Sequence, residues 1–407
     1  LTVARSTNPE PATSPAPQIS GANQSGVRAH NERVILSLLR RHGALSKAEI
    51  ARLTGLSAQT ISVINRQLEK DSLVMRAQRV RGKVGQPSTP MTLNPDGAFS
   101  VGLRIGRRSA DLSLMDFTGI VRKQIRTTHA FPTPDSIMAF LADSLPALVE
   151  TLDPAIRDRI IGIGVASPFE LWHWLDRVGA PSTQMQQWRG FDLVAAARAQ
   201  TDLDVMLVND ASSACLAELT VGDGREIRDF AYFFVGFFIG GGIVLNHALQ
   251  TGATGNAAAF GPLPSRDPRR GNGGQLIDTA SLFTLERSLI EAGIDPADLW
   301  RQTEDWSGFE PQLTQWLAGT AQSMADAIVT VCAVFDFPVI VVDGAFPARV
   351  RADLTARINA AIESCNTNGI LVPEIVSGSV GSNARAIGAS MLPISDRFLV
   401  QRTSAAA

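Results

Sequence analysis

Ser46-Lys47-Ala48-Glu49-Ile50-Ala51-Arg52-Leu53-Thr54-Gly55-Leu56-Ser57-Ala58-Gln59-Thr60-Ile61-Ser62-Val63-Ile64-Asn65-Arg66 is the stretch from which the rest of the chain can be read. Ser46 with Glu49 three residues later forms a capping box, so a helix starts there. Gly55, free to take a positive φ, ends it. Ser57 caps the next helix, whose Ile61, Ile64 and Leu68 share one face. Ala51, Gly55 and Ile61 fall at the spacing of a helix-turn-helix: the small Ala lets the helices approach, Gly makes the turn, and Ile anchors the second helix. Leu53, Leu56, Ile64 and Leu68 complete a small core in this reading. The second helix then offers Ser57, Ala58, Gln59, Thr60, Ser62, Asn65 and Arg66 outward, side chains suited to base edges and phosphates in a major groove. The alternative is a helical hairpin inside a larger domain, with the same residues merely solvated.

Toward the N-terminus, Val34, Ile35, Leu38 and Leu39 mark a helix that begins near Asn31 and ends at Gly43. Residues 1–26 hold Pro9, Pro11, Pro15 and Pro17 among small polar residues and read as a flexible arm. Toward the C-terminus, Leu73–Arg76 and Pro90–Leu93 read as two short strands flanking a basic loop, as a wing would be built. In that loop Arg79, Arg81 and Lys83 can neutralise phosphates, and the narrow tip Gly85-Gln86-Pro87 can approach a minor groove. Asn94-Pro95-Asp96-Gly97 is a turn, which divides the chain into a head, 27–94, and a body, 95–407. Charge divides at the same place. Residues 1–90 carry a balance of +8 and the remainder −10, so the head is the part fitted to a polyanion.

The body alternates strands with helices, which argues for an α/β class. Strands are expected over Phe99–Ile105, Ala110–Phe117, Ile160–Ala166, Val205–Val208, Ala231–Phe238, Ile243–Asn246 and Val339–Val342. Helices are expected over Asp135–Leu152, Ala211–Val221, Ile277–Ala292, Ser323–Phe335 and Ala348–Ser364, with an irregular loop over Gly252–Gly274. Three cysteines with no Cys-x-x-Cys pair exclude a disulfide scaffold and a cysteine-rich zinc site, and fit a reducing cytoplasm. The apolar run Phe230–Leu245, interrupted by Gly236 and Gly240–Gly242, falls short of a membrane span, and the Pro- and Ser-rich start lacks the apolar core of a signal peptide. No nucleophile triad or metal cluster is suggested by the scattered histidines.

The winged head, then Asn209-Asp210, then Gly252-x-x-Gly255-Asn256-Ala257, in that order, resembles the ROK family of repressors, open reading frames and sugar kinases, over roughly residues 28–392. The resemblance implies a winged helix-turn-helix followed by an actin-like, hexokinase-type (ribonuclease-H-like) body in two lobes. It also implies that Asn209 and Asp210 contact sugar hydroxyls, although the same pair is a sensible helix cap. Departures from the family are informative. Its kinases open with Asp-x-Gly-Gly-Thr, where this chain has Arg104-Ile105-Gly106-Arg107-Arg108. Their second phosphate loop, Gly-Thr-Gly-x-Gly-Gly-Gly, is here Gly236-Phe237-Phe238-Ile239-Gly240-Gly241-Gly242. Phosphoryl transfer from ATP needs both loops and a metal, so no enzyme activity and no cofactor are expected. The Glu and His that follow Gly-Asn-Ala in relatives are replaced by Ala258, Ala259 and Pro262, and Gly271–Asp278 contains no cysteine, so a zinc site is not expected either. Asp278 stands where relatives have a sugar-touching Glu. Glu170, Trp172 and His173 lie after a buried strand where relatives have a sugar loop, and are either ligand contacts or core.

These readings converge on a cytoplasmic, homodimeric or homotetrameric transcription repressor that binds a double-stranded DNA operator and responds to a sugar-like effector, with no membrane partner. The competing readings are a sugar kinase with divergent loops and a constitutive DNA-binding protein without a metabolite ligand.

Overall fold

The computed structural model describes residues 24–77, 89–169, 182–267, 271–301 and 305–400. In the head, the helix expected from Asn31 begins earlier: α1 spans Gln24–His42, so residues 24–26 of the expected arm are helical. Helix α2 (Lys47–Thr54) opens on the expected capping box, with Ser46 Oγ accepting from Glu49 N at 3.3 Å and Ser46 N donating to Glu49 Oε2 at 2.7 Å. It closes on Gly55 at φ +71°, whose N–H donates to Ala51 O at 2.8 Å. Helix α3 (Ala58–Lys70) is capped by Ser57, and β1 (Val74–Arg76) pairs antiparallel with β2 (Met91–Leu93). Leu53, read as core, is instead 41% exposed; Ile50 and, in part, Ala51 are the apolar residues this short helix turns inward.

The body holds two five-stranded sheets of the same topology. In the first, β3 (Phe99–Ile105), β4 (Ser109–Asp116) and β5 (Val121–Thr128) form an antiparallel meander, while β6 (Ile160–Ser167) and β7 (Val205–Asn209) add in parallel on the other side of β3. In the second, β8 (Phe230–Val235), β9 (Ile239–Leu245) and β10 (Ala248–Gln250) form the meander, and β13 (Val339–Gly344) and β14 (Glu374–Ser377) add in parallel beside β8. Each sheet thus runs in the order 3-2-1-4-5, the two-lobed actin-like arrangement expected, and each has its own apolar core.

Several elements differ from expectation. Gly252–Gly274 is not wholly irregular: β11 (Pro264–Asp267) pairs with β12 (Gly271–Gln275). The helix expected from Ile277 starts at Leu282, because Ser281 is spent on other contacts: its Oγ accepts from Ile239 N and its carbonyl from Trp316 Nε1, both at 3.1 Å. The helix expected from Ser323 begins eleven residues earlier, as Gln312–Val334. By length and composition it could cross a membrane, but its sequence is largely buried in the second lobe's core.

Two helices position the site. Helix α4 covers Pro134–Val149; α5 (Asp210–Thr220) leaves β7 directly; after α6 (Leu282–Glu291), α7 (Gln312–Val334) and α8 (Ala348–Ile362), the last helix, α9, spans Ala384–Phe398. Helix α9 runs against α5 so closely that a Cβ at Gly388 would lie 1.7 Å from Ser213 O. Ser390 ties it to the first sheet, accepting from Ser100 Oγ through its carbonyl at 2.5 Å and sharing a 2.8 Å hydrogen bond with Ser113 Oγ. Its C-terminal half lies under the head. Met391 and Ile394 share one core with Ile35, Leu36 and Leu39 of α1 and with Phe117. Arg40 Nη2 donates to Phe117 O at 2.5 Å with its guanidinium 5.8 Å from the ring, and Phe398 meets the same ring edge-on at 5.0 Å. The Asn94–Gly97 turn is likewise tied at both sides, Asn94 Nδ2 donating to Ser72 O at 2.7 Å and Phe117 N to Pro95 O at 3.1 Å.

Candidate functional site

On the head, Ser57, Ala58, Gln59 and Arg66 are exposed along α3, while Thr60 and Ser62 are half-buried. Ser57 Oγ accepts from Thr60 N at 3.1 Å, and Lys47 Nζ donates to Ser62 Oγ at 3.4 Å, bringing a cation from α2 to the same face. Asn65 corrects the sequence reading. It is 3% exposed and faces inward with Ile61, Ile64 and Leu68, an i, i+3, i+4, i+7 stripe that polarity alone concealed. Its amide has no hydrogen-bond partner among the described residues. The outward position it was assigned belongs to Val63, 50% exposed, an apolar group suited to a thymine methyl. The expected wing residues Arg79, Arg81, Lys83, Gly85, Gln86 and Pro87 lie outside the described residues, although the two strands that flank them pair as a wing requires.

In the body, β7 passes into α5 at Asn209-Asp210 beside a cavity of about 170 Å³ between the lobes. Asn209 caps α5, its Oδ1 accepting from Ala211 N at 2.9 Å, so the cap reading of this residue holds. Asp210 points across the cleft to α9, where Arg385 Nη1 donates to its Oδ2 at 3.2 Å; the two side chains are 18% and 11% exposed. Phe169, Phe234, Phe237 and Phe238 supply apolar faces, and Asn256 lies on the rim. Asp278 is not in this lining. Its carboxylate accepts from Gln275 N at 3.2 Å in a local capping box, and Ile277 takes the wall position instead. Glu170, Trp172 and His173 lie outside the described residues.

A second, larger cavity of about 880 Å³ adjoins the first, with Arg107, Phe237 and Arg385 common to both. Arg104 reaches into the space above Gly106: a Cβ there would lie 2.3 Å from its guanidinium. Arg104 is bound by Asp111 at 2.7 Å, and burial, helped by the nearby Arg385, lowers its pKa to about 10. Arg107 lies 4.2 Å over the Phe237 ring and 3.8 Å from Glu286; burial and Arg108 bring it also to about 10. A metal–nucleotide does not fit these residues. The glycine space that phosphates need is filled by a guanidinium, and rings occupy the second loop. Zinc does not fit either: β12 and the turn after it carry no thiol or imidazole, and among the described residues no three His, Cys, Asp or Glu converge.

Sequence reasoning missed Arg385 altogether. A single arginine in a helix interrupted by Pro393 carries no local signal, and only the fold brings it to Asp210.

Comparison with known proteins places this geometry. The ROK family model matches residues 100–395, and the MarR family model matches residues 30–81. The chain is 24% identical over 241 residues to the xylose repressor of Bacillus subtilis, an alignment that spans 59% of this chain and 62% of that protein, less than two thirds of the relative's length. Among solved structures it resembles a ROK family transcriptional regulator, a homolog of the Escherichia coli MLC protein, at a TM-score of 0.66 and 20% identity over 91% of this chain and 97% of that one. It also resembles the ROK hexokinase of Thermus thermophilus at 0.53 and 21% identity, over 73% of this chain and 99% of that one.

Proposed function

The chain belongs to the ROK family, and we propose that within it this protein is a sugar-responsive transcription repressor rather than a kinase. The head, 27–94, binds operator DNA through the outer face of α3, with Arg66 and Lys47 toward phosphates and Gln59 and Val63 toward base edges. The wing arginines Arg79 and Arg81 add phosphate contacts. In the small cavity Asp210 keeps Oδ1 for a ligand hydroxyl while Oδ2 is held by Arg385, Asn256 borders the opening, and the phenylalanine rings face the ligand's C–H surfaces. The xylose repressor relative supports a small neutral sugar as the class of ligand.

One observation carries the reading: a single helix, α9, holds Arg385 in the cleft and packs Met391, Ile394 and Phe398 under the head about 9 to 20 Å along its axis. A ligand that engages Asp210 alters the partner of Arg385, and a rigid helix passes that change to α1. The effector can shift DNA affinity only by its differential affinity for the two head positions. The protein works in the cytoplasm as a dimer, because one small head buries too little DNA for specific binding and two-fold operators mirror two-fold proteins.

The test uses the whole chain. Genomic fragments selected by it are expected to share a two-fold site bound in a salt-sensitive manner, and a thermal-shift screen of sugars and polyols is expected to yield a ligand that changes that binding. Sugar phosphorylation from Mg-ATP that is lost in Asp210→Asn would reverse the assignment in favour of a kinase.

A further inference from the structure

Where α1 lies on the body it leaves a third cavity, of about 520 Å³, far along α9 from the cleft. Cations enter it from both sides. Arg40 and Arg41 come from α1, and Arg225 and Arg228, with the imidazole of His247, come from the second lobe. Their supply of acceptors is short. Arg40 Nε and Nη1, Arg225 Nε and His247 Nδ1 are buried without hydrogen-bond partners, and Arg41 has neither a hydrogen bond nor an ion pair among the described residues. Two carboxylates face these four guanidinium groups, Glu226 at 3.7 Å from Arg225 and Asp229 Oδ2 at 3.5 Å from Arg228, while Asp229 Oδ1 accepts from Asn246 N at 2.6 Å and Asp116 is bound by Arg122 at 2.5 Å, so positive charge stays in excess.

The wall bearing His247 is a built feature. Asn246 and His247 take φ of +52° and +60°, a conformation that disfavours non-glycine residues and persists only where neighbours hold it. They are held by Arg228, whose Nε donates to Asn246 Oδ1 at 3.0 Å and whose carbonyl accepts from His247 N at 2.8 Å. Burial and the Arg41 charge both lower the His247 pKa, so the ring is neutral and available as a donor or acceptor. Val34, Leu38, Leu219 and Leu399 give the cavity an apolar wall, and Ser37, Thr220 and Ser395 also line it.

We propose that this joint is a binding site for a small phosphate monoester, whose phosphoryl oxygens are taken by Arg40, Arg41, Arg225 and Arg228 while its uncharged part lies on the leucine wall. Converging guanidinium forks suit a tetrahedral dianion with three acceptor oxygens. Such a ligand ties Arg41 of the head to Arg225 and Arg228 of the body, so it clamps the head in one position by contacts separate from those of the cleft.

The experiment is thermal melting of the full chain with inorganic phosphate or phenyl phosphate, at an ionic strength held constant with chloride. Both are expected to raise the melting temperature saturably, phenyl phosphate at the lower concentration. Arg41→Gln, which removes a side chain with no hydrogen bond or ion pair among the described residues, is expected to keep the chloride melting point and to need about tenfold more ligand for the same shift. Arg225→Gln serves if that variant does not fold. The proposal is overturned if the unmodified chain shows no saturable shift, or if the variant responds as the unmodified chain does. It is also overturned if the shift survives in the variant but is lost in Asp210→Asn, which would put phosphate in the cleft.

Discussion

Phe117→Ala tests whether head and body are one cooperative unit. Phe117 is fully buried at the place where the two meet, beneath α1 and against α9. Truncating a buried phenylalanine costs about 3–5 kcal/mol in lost transfer energy and residual cavity. Here the ring also meets Phe398 edge-on at 5.0 Å, a geometry worth about 0.5–1.5 kcal/mol beyond area burial. It further carries the Arg40 guanidinium at 5.8 Å, and that arginine is already short of acceptors. The loss is therefore expected at the top of the range, about 5 kcal/mol. The sequence supplies a clean assay. All six tryptophans lie beyond residue 170, so tryptophan fluorescence reports the body alone, whereas circular dichroism at 222 nm also reports the head helices. In urea both signals are expected to move together to a lower midpoint. A fluorescence midpoint left at its original value, with an early dichroism phase for the head, would show that the shared core is not cooperative and would remove the route from cleft to head.

Arg66→Ala is expected to weaken DNA binding and reduce the slope of log affinity against log salt by about one, whereas Gln59→Ala relaxes sequence preference, both read by titration at several salt concentrations. Asp210→Ala is expected to weaken effector binding by about 1–3 kcal/mol, one to two decades, and, because it also releases Arg385, to shift effector-free DNA affinity; an unchanged effector dose–response would place the ligand elsewhere. His129, whose Nε2 lies 2.9 Å from Gly106 O, has its pKa lowered from 6.5, chiefly by burial. Below 6.5 the unfolded chain takes up a proton that the folded one resists, so stability falls as pH drops through that value toward the lowered one. His129→Gln is expected to flatten this part of the pH–stability curve.

What could be read from the sequence was local. The Ser46–Glu49 box, the Ser57 cap and the Gly55 stop are each decided within four residues, and β3 carries its own apolar pattern; these appear where expected. What could not be read depends on partners distant in the chain. Gly388 and Pro393 look like helix breakers, yet the first is the crossing point with α5 and the second lies within α9. Asn65 is polar and therefore read as exposed, but its neighbours at three and four residues' spacing place it inside. The cleft shows the same division: Asn209-Asp210 stood out as a motif, whereas Arg385, 175 residues away, had nothing to mark it.

The pairing of Arg104 with Asp111 also constrains what this chain can become. The two residues face each other across one rung of the β3–β4 ladder, and Asp111, wholly buried, is held as well by Arg126 and Gln124. Placing an acid at 104 would set two carboxylates against each other on that rung. Neutralising Asp111 first would strand a buried guanidinium instead, at a cost of about 3–5 kcal/mol. Either order of two single substitutions passes through a destabilised intermediate, so an acid at 104 is compatible with this lobe only when both rung positions change together.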